Sequence, residues 1–257
     1  MRFGFDEINK RMRKAIIAYD MIADDTPIMV GLSGGKDSMV LLYALKQFQR
    51  ISKYKFPLAA GHISLGFPGD DPEPLRRYCE ELDVPFYCEK SQIGEVVFDV
   101  RQESNPCSLC AKMRRGALNN LAKDNGFGKV ALGHHQDDAA ETLLLNIFFE
   151  GRLGSFNPVT YLDRMDLTVI RPFVYVPEAQ ISYFARKQNL PVLQSNCPQN
   201  CVGKRQEMKA ILQQLEELAP YGKDRLVGAL DRQYGPRWDG RTLPANLPAE
   251  EKSEDTK

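Results

Sequence analysis

The stretch PIMVGLSGGKDSMVLLYAL, residues 27–45, decides the fold. Its first seven residues are a short apolar run broken by glycine, the pattern of a buried strand running into a tight loop. From Asp37 to Phe48 the apolar residues Met39, Leu42 and Leu45 recur at helical spacing. Between strand and helix lies Gly31-Leu32-Ser33-Gly34-Gly35-Lys36-Asp37-Ser38. Such a loop turns backbone N–H groups outward, and the following helix N-terminus adds positive potential. The pair makes a cradle for phosphate. Ser33 and Ser38 add hydroxyl donors, and Lys36 adds a cation. The loop is not a Walker motif, because Val30 stands where that motif needs its first glycine and Asp37 follows the lysine. The glycine spacing does not fit a dinucleotide fingerprint either. An ordinary turn with Asp or Ser as helix cap would need fewer donors than are present here.

The same alternation continues outward. Strands are expected at 58–64, 85–90, 129–135 and 167–173, and helices at 5–22, 74–82, 107–125, 137–150, 177–188, 203–218 and 223–232. Alternating strands and helices require crossover connections. The expected fold class is therefore α/β: a doubly wound, mostly parallel, five-stranded sheet with helices on both faces. The expected organisation is an N-terminal helix (1–24), a nucleotide-binding domain carrying the cysteines (25–220), a C-terminal helix and extension (221–242) and a disordered tail (243–257). In such folds ligands bind beyond the carboxyl ends of the strands. The glycine loop follows the first strand, His62 ends the second, and GHHQDDAAET (133–142) follows the fourth. Asp138 and Glu141, three apart, share a helix face, and adjacent acids at a phosphate site usually serve metal ions. Gly133 would let an adenine approach the backbone, with His134 and Asp137 beside it. The competing reading of these acids is complementarity to a helix dipole. The histidine pair lacks the spacing of a zinc-protease helix.

The chain has 257 residues and 6 cysteines, with 34 basic and 34 acidic side chains. The average charge gives no sign of a nucleic-acid binder, so any such surface must be local. No leader-like or membrane-spanning stretch is visible, and a cytoplasmic protein is expected. In that setting the cysteines are thiols or metal ligands rather than disulfides. Cys107-Ser-Leu-Cys110 opens a helix and is followed by Lys112, Arg114 and Arg115, a setting that favours thiolate. Two ligands at this spacing suit zinc, a redox dithiol or an iron–sulfur cluster. Cys197 and Cys201 are the candidates for further ligands. Cys79 and Cys88 read as core residues. Arg11, Arg13, Lys14, Lys112, Arg114, Arg115, Lys204 and Arg205 could guide RNA, or could simply be solvated.

Taken together, SGGKDS, NPCSLCAKMRRGAL, ALGHHQDDAAETLLLNIFFEGR, IRPF and the CPQNCVGKRQEMK pattern resemble the tRNA 2-thiocytidine synthetase family. That family lies in the ATP-pyrophosphatase (PP-loop, N-type) superfamily, and the resemblance spans about residues 5–220. It implies the PP-loop, HUP-type fold and cleavage of ATP between its α and β phosphates. Gly31 to Ser38 would surround the nucleotide phosphates, with His62, Gly133, His134 and Asp137 also at the nucleotide. Lys36, Asp37 and Asp138 would be catalytic, and Asp37 and Asp138 would hold Mg²⁺. It further implies a [4Fe-4S] cluster on Cys107, Cys110 and a third cysteine. The distance back from Arg205 favours Cys197 for that place, with Cys201 the alternative. RNA contacts would fall on Arg114, Arg115, Lys204 and Arg205. The implied reaction adenylates the cytosine C2 oxygen and replaces it with sulfur, with tRNA as substrate. A cysteine desulfurase or free sulfide would be the donor, and the enzyme would be a homodimer. A thiouridine-forming enzyme, an adenylating ligase without sulfur chemistry, a cluster- or zinc-bearing sensor and a persulfide carrier are the competing readings.

Overall fold

The computed structural model describes residues 4–67, 69–101, 106–193 and 204–240. Cys197, Cys201 and the tail from 243 lie outside the described residues. In chain order the elements are α1 (Phe5–Ala18), β1 (Ile28–Gly31), α2 (Lys36–Ile51), β2 (Leu58–Ser64), α3 (Glu73–Glu81) and β3 (Phe86–Lys90). There follow α4 (Ile93–Glu95), which runs into a π-helical turn at Val96–Arg101, then α5 (Pro106–Asp124), β4 (Lys129–Ala131) and α6 (Gln136–Glu150). The last are β5 (Val159–Leu162), β6 (Leu167–Ile170), α7 (Glu178–Lys187), α8 (Lys204–Leu218) and α9 (Gly222–Tyr234).

The strands form one sheet in the order β3-β2-β1-β4-β6-β5. β1 pairs in parallel with β2 and β4, and β6 pairs in parallel with β4. Five strands are those expected. The sixth, β5, was not anticipated and pairs antiparallel with β6 at the sheet edge. The expected strands at 129–135 and 167–173 stop short, at Ala131 and Ile170, where the chain leaves the sheet.

Alternation along the strands feeds two apolar layers. Ile28 and Val30 face the layer built by α1, α2, α3, α7 and α9, and Met29 faces the layer under α5. Such two-sided burial is why the strands read as continuous apolar runs. In α2, Met39, Leu41, Leu42 and Leu45 are fully buried, each contributing about 1.5–3 kcal/mol. A smaller cluster of Ala140, Leu144, Met208 and Leu212 joins α6 to α8. Asp231 on α9 accepts hydrogen bonds from Tyr19, Tyr175 and the buried Trp238, stitching the C-terminal helix to α1. Cys79 is fully buried, as expected, whereas Cys88 on β3 is only half-buried. Among the described residues no helix is long and apolar enough to cross a membrane.

Candidate functional site

The loop after β1 is fastened by its own serines. The Ser38 hydroxyl donates to the Gly35 carbonyl at 2.9 Å and accepts from the Ser33 N–H at 3.1 Å. The Ser33 hydroxyl accepts from the Gly35 N–H at 3.3 Å. Gly34 has φ +84°, the left-handed region where a side chain is strained, and a Cβ there would meet Leu193 at 3.0 Å. Leu193 donates its N–H to the Gly34 carbonyl, so the chain docks on the loop at this residue.

Lys36 is held by two acids. Its Nζ lies 3.1 Å from Asp37 and 3.0 Å from Glu178. Burial would lower the lysine's affinity for its proton, but the two carboxylates outweigh burial and raise it. The other oxygen of Glu178 binds Lys209 of α8 at 2.6 Å. Burial pushes the Glu178 carboxyl up, yet the hydrogen bonds from Lys209 and Lys36 prevail and hold it down at about 2. The backbone N–H of Glu178 donates to Asp137 at 2.7 Å, and Lys223 binds the other Asp137 oxygen.

Beyond β4 the residues of GHHQDD converge on the loop. Gly133 packs so close that a Cβ would lie 3.0 Å from the Asp37 backbone. His135 caps α6: its Nδ1 accepts from the Asp138 N–H, and its own N–H donates to the Asp138 carboxylate at 3.0 Å. The His135 Nε2 sits 3.8 Å from Asp37 and 3.5 Å from Asp138, so one ring nitrogen faces both acids. Arg205 reaches Asp138 at 3.1 Å and Glu141 at 3.6 Å. Burial and Asp138 raise the Glu141 carboxyl to about 7. His134 is pushed down to about 4, first by burial and then by Arg171, and is neutral at physiological pH.

These elements surround a cavity of about 430 Å³. Gly31, Ser33 and Gly35 line one side, His62 and His134 the end of the strands, and Arg114 and Arg115 the α5 side. The His62 Nδ1–H donates to the Leu32 carbonyl at 2.7 Å, which fixes the ring and leaves Nε2 as an acceptor in the neutral form. Along α5, residues 111, 114, 115 and 118 form the lining stripe. Cys107 and Cys110, both half-buried, start the same helix one turn before it.

The structure thus brings together the loop, His62, Gly133, His134, Asp37, Asp138 and the Cys107–Cys110 helix. Arg205 and Asp137 are engaged in ion pairs within the protein, and Lys204 lies over the Phe149 ring at 4.2 Å. Among the described residues no three His, Cys, Asp or Glu side chains are grouped to hold a metal ion. Sequence reading missed Glu178, Lys209 and Lys223, whose roles depend on partners on other elements. It also assigned nothing to Arg171, although the surrounding IRPF stretch stood out. His135 was visible only as one of a pair.

The sequence profile of the PP-loop domain family matches residues 6–209. A tRNA-cytidine(32) 2-sulfurtransferase of Citrifermentans bemidjiense is 38% identical over 234 residues, 90% of this chain and 92% of that one. A protein of the same name from Pelobacter propionicus is 39% identical over 233 residues, 90% of this chain and 87% of that one. Among solved structures, the U34-tRNA thiolase NcsA from Methanococcus maripaludis with its [4Fe-4S] cluster matches with a TM-score of 0.73. The identity is 26%, covering 89% of this chain and 78% of that one. An NH3-dependent NAD synthetase from Campylobacter jejuni, with a TM-score of 0.50 and 18% identity, shares the fold alone.

Proposed function

The chain belongs to the PP-loop domain family and, within it, to the tRNA-cytidine(32) 2-sulfurtransferases, and from that membership we propose that it forms 2-thiocytidine in tRNA at the cavity described above. It is an ATP-dependent tRNA sulfurtransferase that uses ATP and a [4Fe-4S] cluster. The observation that carries the reading is a single cavity. Its walls are the phosphate-type loop on one side and the helix opened by Cys107 and Cys110 on the other.

The residues present fit both groups. Two half-buried thiols one helical turn apart are a soft donor pair suited to iron, and the chain toward Cys197 and Cys201 leaves Leu193 at the cavity wall. Cys197 is the proposed third ligand and Cys201 the alternative. A bound cluster supplies an iron with a free position for a sulfur nucleophile. Asp37 and Asp138, facing one histidine nitrogen, offer hard oxygens suited to Mg²⁺.

In the proposed first step the base's C2 oxygen attacks the ATP α-phosphorus. The new O–P bond forms as the bond to the β-phosphate oxygen breaks, and pyrophosphate leaves into Ser33–Ser38. Lys36, fixed between Asp37 and Glu178, neutralises the developing charge. His62 Nε2 accepts from the adenine amino group, and Gly133 leaves room for the ring. In the second step hydrosulfide, free or released from a desulfurase-derived persulfide by a thiol that ends as a disulfide, forms the C2–S bond and gives up its proton. The C2–O bond breaks and AMP departs. The enzyme is proposed to act in the cytoplasm as a homodimer. The test is mass spectrometry of tRNA nucleosides from cells with and without the gene. Loss of 2-thiocytidine is expected. Loss of a 2-thiouridine instead would reassign the base, and unchanged thionucleosides would overturn tRNA thiolation.

A further inference from the structure

Arg171, the first residue after β6, is a buried cation with no counter-ion among the described residues. It is 8% exposed, and its Nη1 donates to the Asn157 carbonyl at 2.6 Å and to the Thr160 hydroxyl at 3.1 Å. Those bonds hold the guanidinium in place but occupy only one of its nitrogens. Nε is buried with no acceptor. No carboxylate pairs with Arg171 or with Arg115 among the described residues, and the charge that Arg171 feels most is the like charge of Arg115. Burial, then Arg115, lower the Arg171 guanidinium to about 10, so it remains a cation at neutral pH.

An uncompensated buried cation is costly, and a neighbouring cation makes it more so. Such an arrangement is stable when an anion from outside completes it. The free Nε edge of an arginine whose Nη1 is already used is the edge that grips two oxygens of a phosphate. The position agrees. Arg171 stacks on Phe156 at 5.3 Å, and His134 lies against the same ring at 5.1 Å. His134 and Arg115 both line the cavity. Arg171 therefore lies beside the His134–Phe156 pair, next to the residues that line the cavity, and Arg115 lines it from α5. The glycine loop, where the phosphates of ATP are expected, is fastened to β1, with β4 between it and β6.

We propose that Arg171 and Arg115 together form a seat for one backbone phosphate of the RNA whose base enters the cavity. This rests on the thiolation reading above. The phosphate fixes the strand while His134, neutral beside it, borders the space left for the base. A buried seat at the cavity wall accepts a nucleotide only when its base has left the helical stack, so the seat selects a loop or flipped nucleotide over a duplex.

The test is the salt dependence of binding between the anaerobically purified full chain and an unmodified tRNA transcript. It compares wild type, Arg115→Gln, Arg171→Gln and the double variant. Each single variant is expected to weaken binding roughly tenfold at moderate salt and to flatten the log–log salt slope by about one. Because both guanidiniums serve one phosphate, the double variant should flatten the slope by about one as well, not two. Affinity for ATP should stay within about twofold of wild type in all three. Arg115 is exposed, so its variant tests the seat even if Arg171→Gln disturbs folding. Unchanged slopes in the variants, or weakened ATP binding with intact tRNA binding, would overturn the seat. A double variant that loses two slope units would separate the residues onto different phosphates and overturn the shared site. A wild-type protein that binds no tRNA would instead sink the thiolation reading itself.

Discussion

Lys36 is useful as a cation only if its ammonium stays over the loop, and an unbraced lysine carries about 2 kcal/mol of rotamer freedom. Asp37 and Glu178 remove that freedom, and Lys209 shares the Glu178 charge so that it does not neutralise Lys36 alone. Lys36→Ala is expected to abolish ATP-dependent pyrophosphate release while the protein stays folded and its cluster absorbance is unchanged. Wild-type release from that variant would remove the loop from the reaction. Glu178→Gln should lower kcat at least roughly tenfold with KM for ATP within about threefold, since positioning matters most in the transition state. A lowered KM with unchanged kcat would mean that Glu178 is only a nearby negative charge. The same residue carries a pH signature. A carboxyl held at about 2 when folded, against an ordinary 4.5, contributes stability that is complete above pH 4.5 and is lost as pH falls toward 2. Urea unfolding should therefore show a gap between wild type and Glu178→Gln that is constant from neutral pH down to about 4.5 and closes below it. A gap that widens on acidification would contradict the ion-pair account.

At the scale of elements, what fixes the site is close approach of backbones. Gly133 lets the turn after β4 lie against the start of α2, where an added Cβ would meet the Asp37 and Ser38 backbones at 3.0 and 3.1 Å. Gly133→Ala should cost about 1–3 kcal/mol as the two turns are pushed apart, and it should weaken ATP binding. Calorimetric titration with ATP checks the second point, and unchanged affinity would show that the turns move independently. Elements whose local chemistry agrees with their tertiary place were legible in the sequence. β1 with its loop, β2 and the capped α6 declare themselves through apolar runs, glycines and helix-start acids. β5 did not, because Val-Thr-Tyr-Leu is short, lies at an edge and takes its strand character from pairing with β6. The π-helical turn at Val96–Arg101 carries no period of its own. In the site, the residues contributed by contiguous motifs were readable. Glu178, Lys209 and Arg171 were not, because each acquires meaning only from a partner on another element.

On the scale of the whole molecule, the glycine loop and the acids around it are braced by helices that come last in the chain. α8 begins just after the segment holding Cys197 and Cys201. It sends Arg205 to Asp138 and Lys209 to Glu178, while α9 sends Lys223 to Asp137. These charges reach their partners only because Met208 and Leu212 seat α8 on Ala140 and Leu144 of α6. The packing thus links α8 to the acids around the loop, although no α8 side chain lines the cavity. Leu212 is 3% exposed and does not line the cavity, so truncating it tests the link. Leu212→Ala should cost about 2–5 kcal/mol, lowering Tm by roughly 2–4 °C for each kcal/mol. It should also weaken ATP binding at temperatures well below the transition, because Lys209 and Arg205 lose their fixed positions. Loss of Tm with unchanged ATP affinity would make α8 a brace without influence on the site. Loss of both, with the affinity deficit absent when the same change is made in a Lys209→Ala, Arg205→Gln background, would trace the effect to those two charges.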